Sequence, residues 1–151
     1  MYIYIYIMDK NMNNNIKVII ISIIYIIFDV IWISSNIKMY NNNTIRIQGK
    51  ISNITNNTII YIIICYGLLL LSIIHIAIPL TLNNIKEKDT LEDKIYKSIQ
   101  YGGSVGFCIY GIYNLISLII YENFEIILAI IDTIWGTFIY SLLTLIYLLL
   151  K

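Results

Sequence analysis

Charge is what this chain has least of. Only 13% of its 151 residues are Asp, Glu, Lys or Arg, and ten basic side chains against nine acidic ones leave a net charge of +1. Such a balance builds no patch dense enough to neutralise a row of phosphates, so nucleic acid is excluded as a partner. The chain has one His, His75. That is too little for the clustered His and acids that a membrane-embedded lipid enzyme usually needs. Two cysteines, Cys65 and Cys108, lie in apolar runs without metal-ligand spacing. They are expected to be small buried hydrophobes, and no metal or cofactor is implied.

What fills the chain instead is hydrocarbon. With 59% hydrophobic residues and a mean hydropathy of +0.79, the sequence is that of an integral membrane protein rather than a soluble domain. Its wealth of Ile, Asn, Tyr and Lys reads as drift in an AT-rich genome such as that of a large DNA virus or a protist. A host or virion membrane suits such a source, and Asn-rich stretches then carry little specific meaning.

A membrane helix needs about 20 mainly apolar residues. Four segments qualify, 16–37, 58–82, 98–121 and 126–150. Each is apolar nearly all round, which suits lipid on one side and neighbouring helices on the other. The fold expected is all-α, a polytopic antiparallel bundle of four transmembrane helices over residues 16–151, with 1–15 as an N-terminal extension. Within that extension, residues 1–7 alternate apolar and aromatic side chains over a length too short to cross, and are expected at the interface. The first span lies too deep for a signal peptide and lacks a small-residue cleavage site, so it is expected to be retained. The lipid bilayer is the main partner, and a homo-oligomer is left open.

The connections differ in kind. Residues 38–57 form an Asn-rich loop, 83–97 mix both signs of charge as a solvated connector, and the turn at Glu122 and Asn123 is short enough to force spans three and four into a hairpin. Lys10, Lys17, Lys86, Lys88, Lys94, Lys97 and Lys151 fall on one side, against Lys38, Arg46 and Lys50 on the other. The positive-inside rule therefore places both termini in the cytoplasm. Sequons at Asn42, Asn53 and Asn56 would face outward, but they sit so close to the membrane that chance is the better explanation.

Against this background one pattern occurs twice. Asp29-Val30-Ile31-Trp32 and Asp132-Thr133-Ile134-Trp135 each set an acid inside an apolar run. Asp at a helix centre costs roughly 2.5 to 3.5 kcal/mol of insertion, and each Ile or Leu returns about 0.3 to 0.6, so insertion still wins. At 1.5 Å per residue both acids sit about 10 to 12 Å below the outer face. Asn114 falls at the same depth, with Ser117 one turn further out and Tyr110 and Tyr113 nearby. No Lys or Arg lies at that depth, Lys17 being at the opposite end of the first span, so each acid must be protonated, held by donors or bound to a cation. Trp32 and Trp135 stand three residues on, on the same face as their own Asp, with indole N–H groups to offer. Gly102 and Gly106 are spaced for close helix packing. Pro79, which cannot bond back to the carbonyl of His75, is expected to kink the second span.

The order of these features resembles a family of small predicted membrane proteins, domain of unknown function 2177. The likeness rests on Asp29 and Trp32 in the first span, Tyr61, Gly67 and Pro79 in the second, Gly102, Gly106, Tyr110, Tyr113, Asn114, Leu115, Ile116 and Ser117 in the third, and Asp132, Trp135, Gly136 and Thr137 in the fourth. It implies a four-span fold over about Lys17 to Lys151 and a site at those polar residues, but names no reaction. In the third span Asn114 stands where the family pattern has an acid, Ile116 where it has Thr, and Ser117 where it has Asn.

Three functions compete. The expected one is non-enzymatic: a polar site of Asp29, Asn114, Asp132, Trp32, Trp135, Tyr110, Tyr113 and Ser117 that binds or passes a proton, a cation or a small polar solute. The second is a structural or assembly protein whose acids only hold helix packing. The third, a lipid-modifying enzyme, has the least support, because His75 lies roughly 15 Å in depth from the acids.

Overall fold

The computed structural model describes residues 12–150 apart from 52 and 54, so the expectations for residues 1–7 and for Lys10 and Lys151 lie outside it. Among the described residues five helices run in order: α1 (Asn14–Ser35), α2 (Ile37–Gln48), α3 (Asn56–Leu82), α4 (Leu91–Ile120) and α5 (Ile126–Leu149). Among the described residues there is no strand. All but α2 are long and apolar enough to cross a membrane.

The starts are written in polar side chains. Asn13 accepts from the Asn15 N–H ahead of α1. Reciprocal capping boxes open α3 at Thr55 with Thr58 and α4 at Thr90 with Asp93, and each satisfies donors that a helix leaves free at its first turn.

Two connectors differ from expectation. Most of the Asn-rich segment is the helix α2, which α1 enters after a single break at Asn36 (φ −108°, ψ 14°) and which ends at Gly49 in the left-handed conformation (φ 74°). Asn, Thr and Gln carry no loop signal strong enough to stop a helix whose apolar residues recur on one side. The charged connector likewise ends early, because α4 begins at Leu91 and its first turns carry Glu92, Asp93, Lys94 and Lys97.

Ahead of Pro79, where a kink is expected, α3 has a π turn at Ile73–Ala77 and then continues as helix to Leu82. Widening the turn there accommodates a missing donor without ending the helix. A second π turn, Ser98–Gly103, lies in α4 and packs against the first.

Helices α4 and α5 pack along their length as an antiparallel pair: Gly102 faces Thr144, Gly106 faces Gly136 and Tyr140, and Gly111 faces Thr133. A Cβ on Gly106 would run into the carbonyl oxygen of Gly136, so the backbones approach as closely as small residues permit. Helix α1 runs against α5 in the same opposed sense, with the Lys17 ammonium 5.6 Å from the Tyr147 ring centre and Trp32 stacked on Trp135. Helix α5 is the central element and holds Trp135, Ile139, Tyr140 and Leu143 in the core with Ile21 and Tyr25 of α1 and Ile73 and Ala77 of α3. The first part of α3, Asn56–Ser72, has no buried residue. Cys65 and Cys108 are exposed, correcting their expected burial: they face outward, where apolar helices meet lipid rather than protein.

Candidate functional site

The two acids are 103 positions apart in sequence and share one hydrogen-bonded layer near the α2 end of the bundle. Neither indole serves its own acid: Trp135 reaches the other copy's directly, Trp32 only through Tyr40. Trp135 Nε1 donates to Asp29 Oδ1 at 3.0 Å, and Trp32 Nε1 donates to the Tyr40 hydroxyl at 3.1 Å, which in turn donates to Asp132 Oδ1 at 2.8 Å. The rings stack face to face, with centres 4.5 Å apart and planes 1° from parallel. Each Trp follows its Asp by most of a turn on antiparallel helices, so crossing is the arrangement that lets both rings share one gap.

The remaining oxygens are also served. Tyr66 of α3 donates to Asp29 Oδ2 at 2.5 Å, and the Asn114 amide donates to Asp132 Oδ2 at 3.0 Å, to the Tyr110 carbonyl at 2.9 Å and to Thr133 Oγ1 at 3.3 Å. Buried Asp29 and half-buried Asp132 thus both accept from neutral donors, as polar groups removed from water require.

Their surroundings differ. Asp29 is 7% exposed and closed in by Tyr66 and Trp135. Asp132 lines a cavity of about 220 Å³ between α2, α4 and α5, together with Tyr40, Asn43, Thr44, Gln48, Tyr113, Asn114, Tyr121 and Phe124. Helix α2 is held over this cavity at three points. Besides Tyr40, the Asn43 side chain accepts from the Glu125 backbone N–H at 2.8 Å, and Arg46 pairs with the Glu125 carboxyl at 3.6 Å. Burial, and then the neighbouring Asp132, push the Tyr40 hydroxyl well above its ordinary range, which keeps it a donor.

Of the residues expected at the site, Asp29, Asp132, Asn114, Trp32 and Trp135 come together. Tyr110 turns instead to Tyr25, the hydroxyls 3.2 Å apart, and reaches the layer only through its carbonyl. Ser117 bonds back to the Tyr113 carbonyl, and Tyr113 is 62% exposed at the cavity wall. His75 is exposed on the π turn of α3. Sequence reasoning missed Tyr40, Tyr66 and Asn43. Tyr40 follows Trp32 by eight residues, close to two helical turns, a signal legible only to a reader who carries the helix past Asn36. On α3 the resemblance marks Tyr61, which is exposed, whereas Tyr66 is the one that holds Asp29.

A family model described as a predicted membrane protein, DUF2177, matches residues 14–149, which bears out the likeness drawn from motif order. No curated protein and no solved structure matches the chain.

Proposed function

From the premise that this chain belongs to the DUF2177 family of predicted membrane proteins, we propose that it binds a small cation or small polar solute in the cavity at Asp132. One observation carries this reading: of two acids in one layer, Asp29 is closed off by protein donors whereas Asp132 borders about 220 Å³ of open space. An ionisable group inside a membrane protein and beside a cavity is a binding candidate by default. The carboxyl group anchors the solute, Asn114 and Tyr40 orient that carboxyl, and α2 covers the entrance. The excess of Lys around residues 83–97 supports a cytoplasmic position for that end and an external one for α2.

Stacked Trp32 and Trp135 are the chain's only tryptophans, so their fluorescence reports on the layer directly. In purified protein, added monovalent cations should change that fluorescence in the wild type and in Asp29→Asn. The response should vanish in Asp132→Asn. A response retained in folded Asp132→Asn would sink the proposal. It would leave the second reading, a hydrogen-bonded clasp for helix register, which is favoured by the fact that all four carboxyl oxygens already accept a bond.

A further inference from the structure

The cavity at Asp132 is walled by more aromatic carbon than a site for a metal ion or a proton requires. We infer that it takes an alkylated ammonium group, one of the trimethylammonium type, a deepening that rests on the reading of the cavity as a cation site. Four rings line it, from Tyr40, Tyr113, Tyr121 and Phe124, with Asp132 as the negative charge and Asn114 beside it. Aromatic walls around an acid are how proteins recognise quaternary ammonium, because ring faces attract a diffuse cation that water holds weakly.

Three observations separate this ligand from its rivals. The carboxyl oxygens of Asp132 already accept from Tyr40 and Asn114. A primary ammonium or a bare metal ion has to fit the lone pairs those two donors leave, whereas a quaternary ammonium donates no hydrogen bond and needs only the charge. Size points the same way. About 220 Å³ is room for several waters, ample for a methylated ammonium and more than a single dehydrated ion fills. Finally, among the described residues no three His, Cys, Asp or Glu side chains come together to hold a metal, and hard divalent cations require about six oxygen ligands.

The same headgroup chemistry occurs free in water and on choline lipids. A second, apolar groove of about 280 Å³ opens on α4 and α5 between Phe107, Leu115, Ile130 and Ile134, and Asn114 is a wall of both spaces. Gly111 lies in this groove, and a Cβ there would meet nothing closer than Thr133 Cγ2 at 3.7 Å. A Cβ at 111 therefore starts a side chain at ordinary contact distance from α5, beside the groove.

Calorimetric titration of the purified chain with tetramethylammonium chloride, against potassium chloride at equal ionic strength, tests the assignment. Saturable binding of tetramethylammonium is expected, lost in Asp132→Asn and weakened about two- to fivefold by each of Tyr113→Leu and Tyr121→Leu. Both rings are exposed, so these variants keep the core intact. Binding that survives both leucine replacements overturns the aromatic cage. Potassium binding that depends on Asp132, without tetramethylammonium binding, overturns this inference and leaves the cation site standing. No Asp132-dependent response to either salt overturns both. In nanodiscs, preferential retention of phosphatidylcholine over phosphatidylglycerol that is lost in Gly111→Leu, with tetramethylammonium affinity unchanged, identifies the source as a lipid headgroup. Tetramethylammonium binding with no lipid preference identifies a free solute.

Discussion

Position by position, what decides a residue's role is the neighbour its side chain would meet. Gly106 and Gly67 look alike in sequence, each a glycine in an apolar run, yet a Cβ at 106 collides with the backbone of α5 while one at 67 meets nothing within 4 Å. Gly106→Ala should therefore cost about 1 to 3 kcal/mol through overpacking. Gly67→Ala should stabilise by up to about 1 kcal/mol, because alanine restricts the unfolded chain more than glycine does. Denaturant unfolding in micelles checks both, and equal effects would contradict the packing described. Spacing alone marked Gly106 correctly as a packing glycine. It did not show that Gly111 borders a groove, because that depends on how closely the partner helix approaches at each depth.

Helices are where local chemistry and tertiary placement part company. Helix α4 starts in charged residues because Asp89 and Thr90 organise its entrance: Lys97 pairs with Asp89, the Lys86 N–H donates to Asp89 Oδ2 at 2.7 Å, and Thr90 and Asp93 cap each other. The Lys97 ammonium foremost, and then the Lys86 N–H, hold the Asp89 carboxyl below the usual range. A carboxyl whose folded value is depressed stabilises above its unfolded value, about 3.9 for Asp, and that contribution is lost as pH falls through the folded value. The protection of amides 91–97 relative to the unfolded chain should therefore fall on acidification from about pH 5 to pH 2, and Asp89→Asn should reduce that pH dependence, leaving the part due to Asp93, whose carboxyl the Thr90 N–H and hydroxyl also hold below the usual range. Constant protection across that range would refute the assignment. Capping signals such as Thr90 with Asp93 are readable from sequence because they act over three residues. The docking of helix α2 was not readable, because its anchors, Asp132 and Glu125, are more than 75 residues away along the chain.

Across the whole molecule, the alternation of four apolar helices sets which ends share a side of the membrane. The α2 segment and the 83–90 connector are at opposite ends of α3. In a background with Cys65 and Cys108 replaced by Ala, single cysteines at Gly49 and Lys88 should react with a membrane-impermeant maleimide from opposite sides of intact vesicles. Labelling of both from one side would exclude the topology. Helix content, the four apolar segments and the shared depth of the acids were legible because each depends on composition or on distance along one helix, and such quantities are local.

The repeated Asp-x-Ile-Trp, with its acids in apolar runs, needed no partner to be visible, and with the hydropathy it determined a membrane protein carrying two costly acids in one layer. Only the packed bundle decided that Trp135 serves Asp29 and that Trp32 reaches Asp132 through Tyr40, that Tyr66 and Trp135 close off Asp29, and that Tyr40 and α2 leave Asp132 beside a cavity. The physical reason is that apolar helices in lipid have little hydrophobic preference for one another, so small residues and a few interhelical hydrogen bonds select which faces meet. Those selections depend on complementary shape between distant segments, and a linear pattern of apolar residues does not encode them.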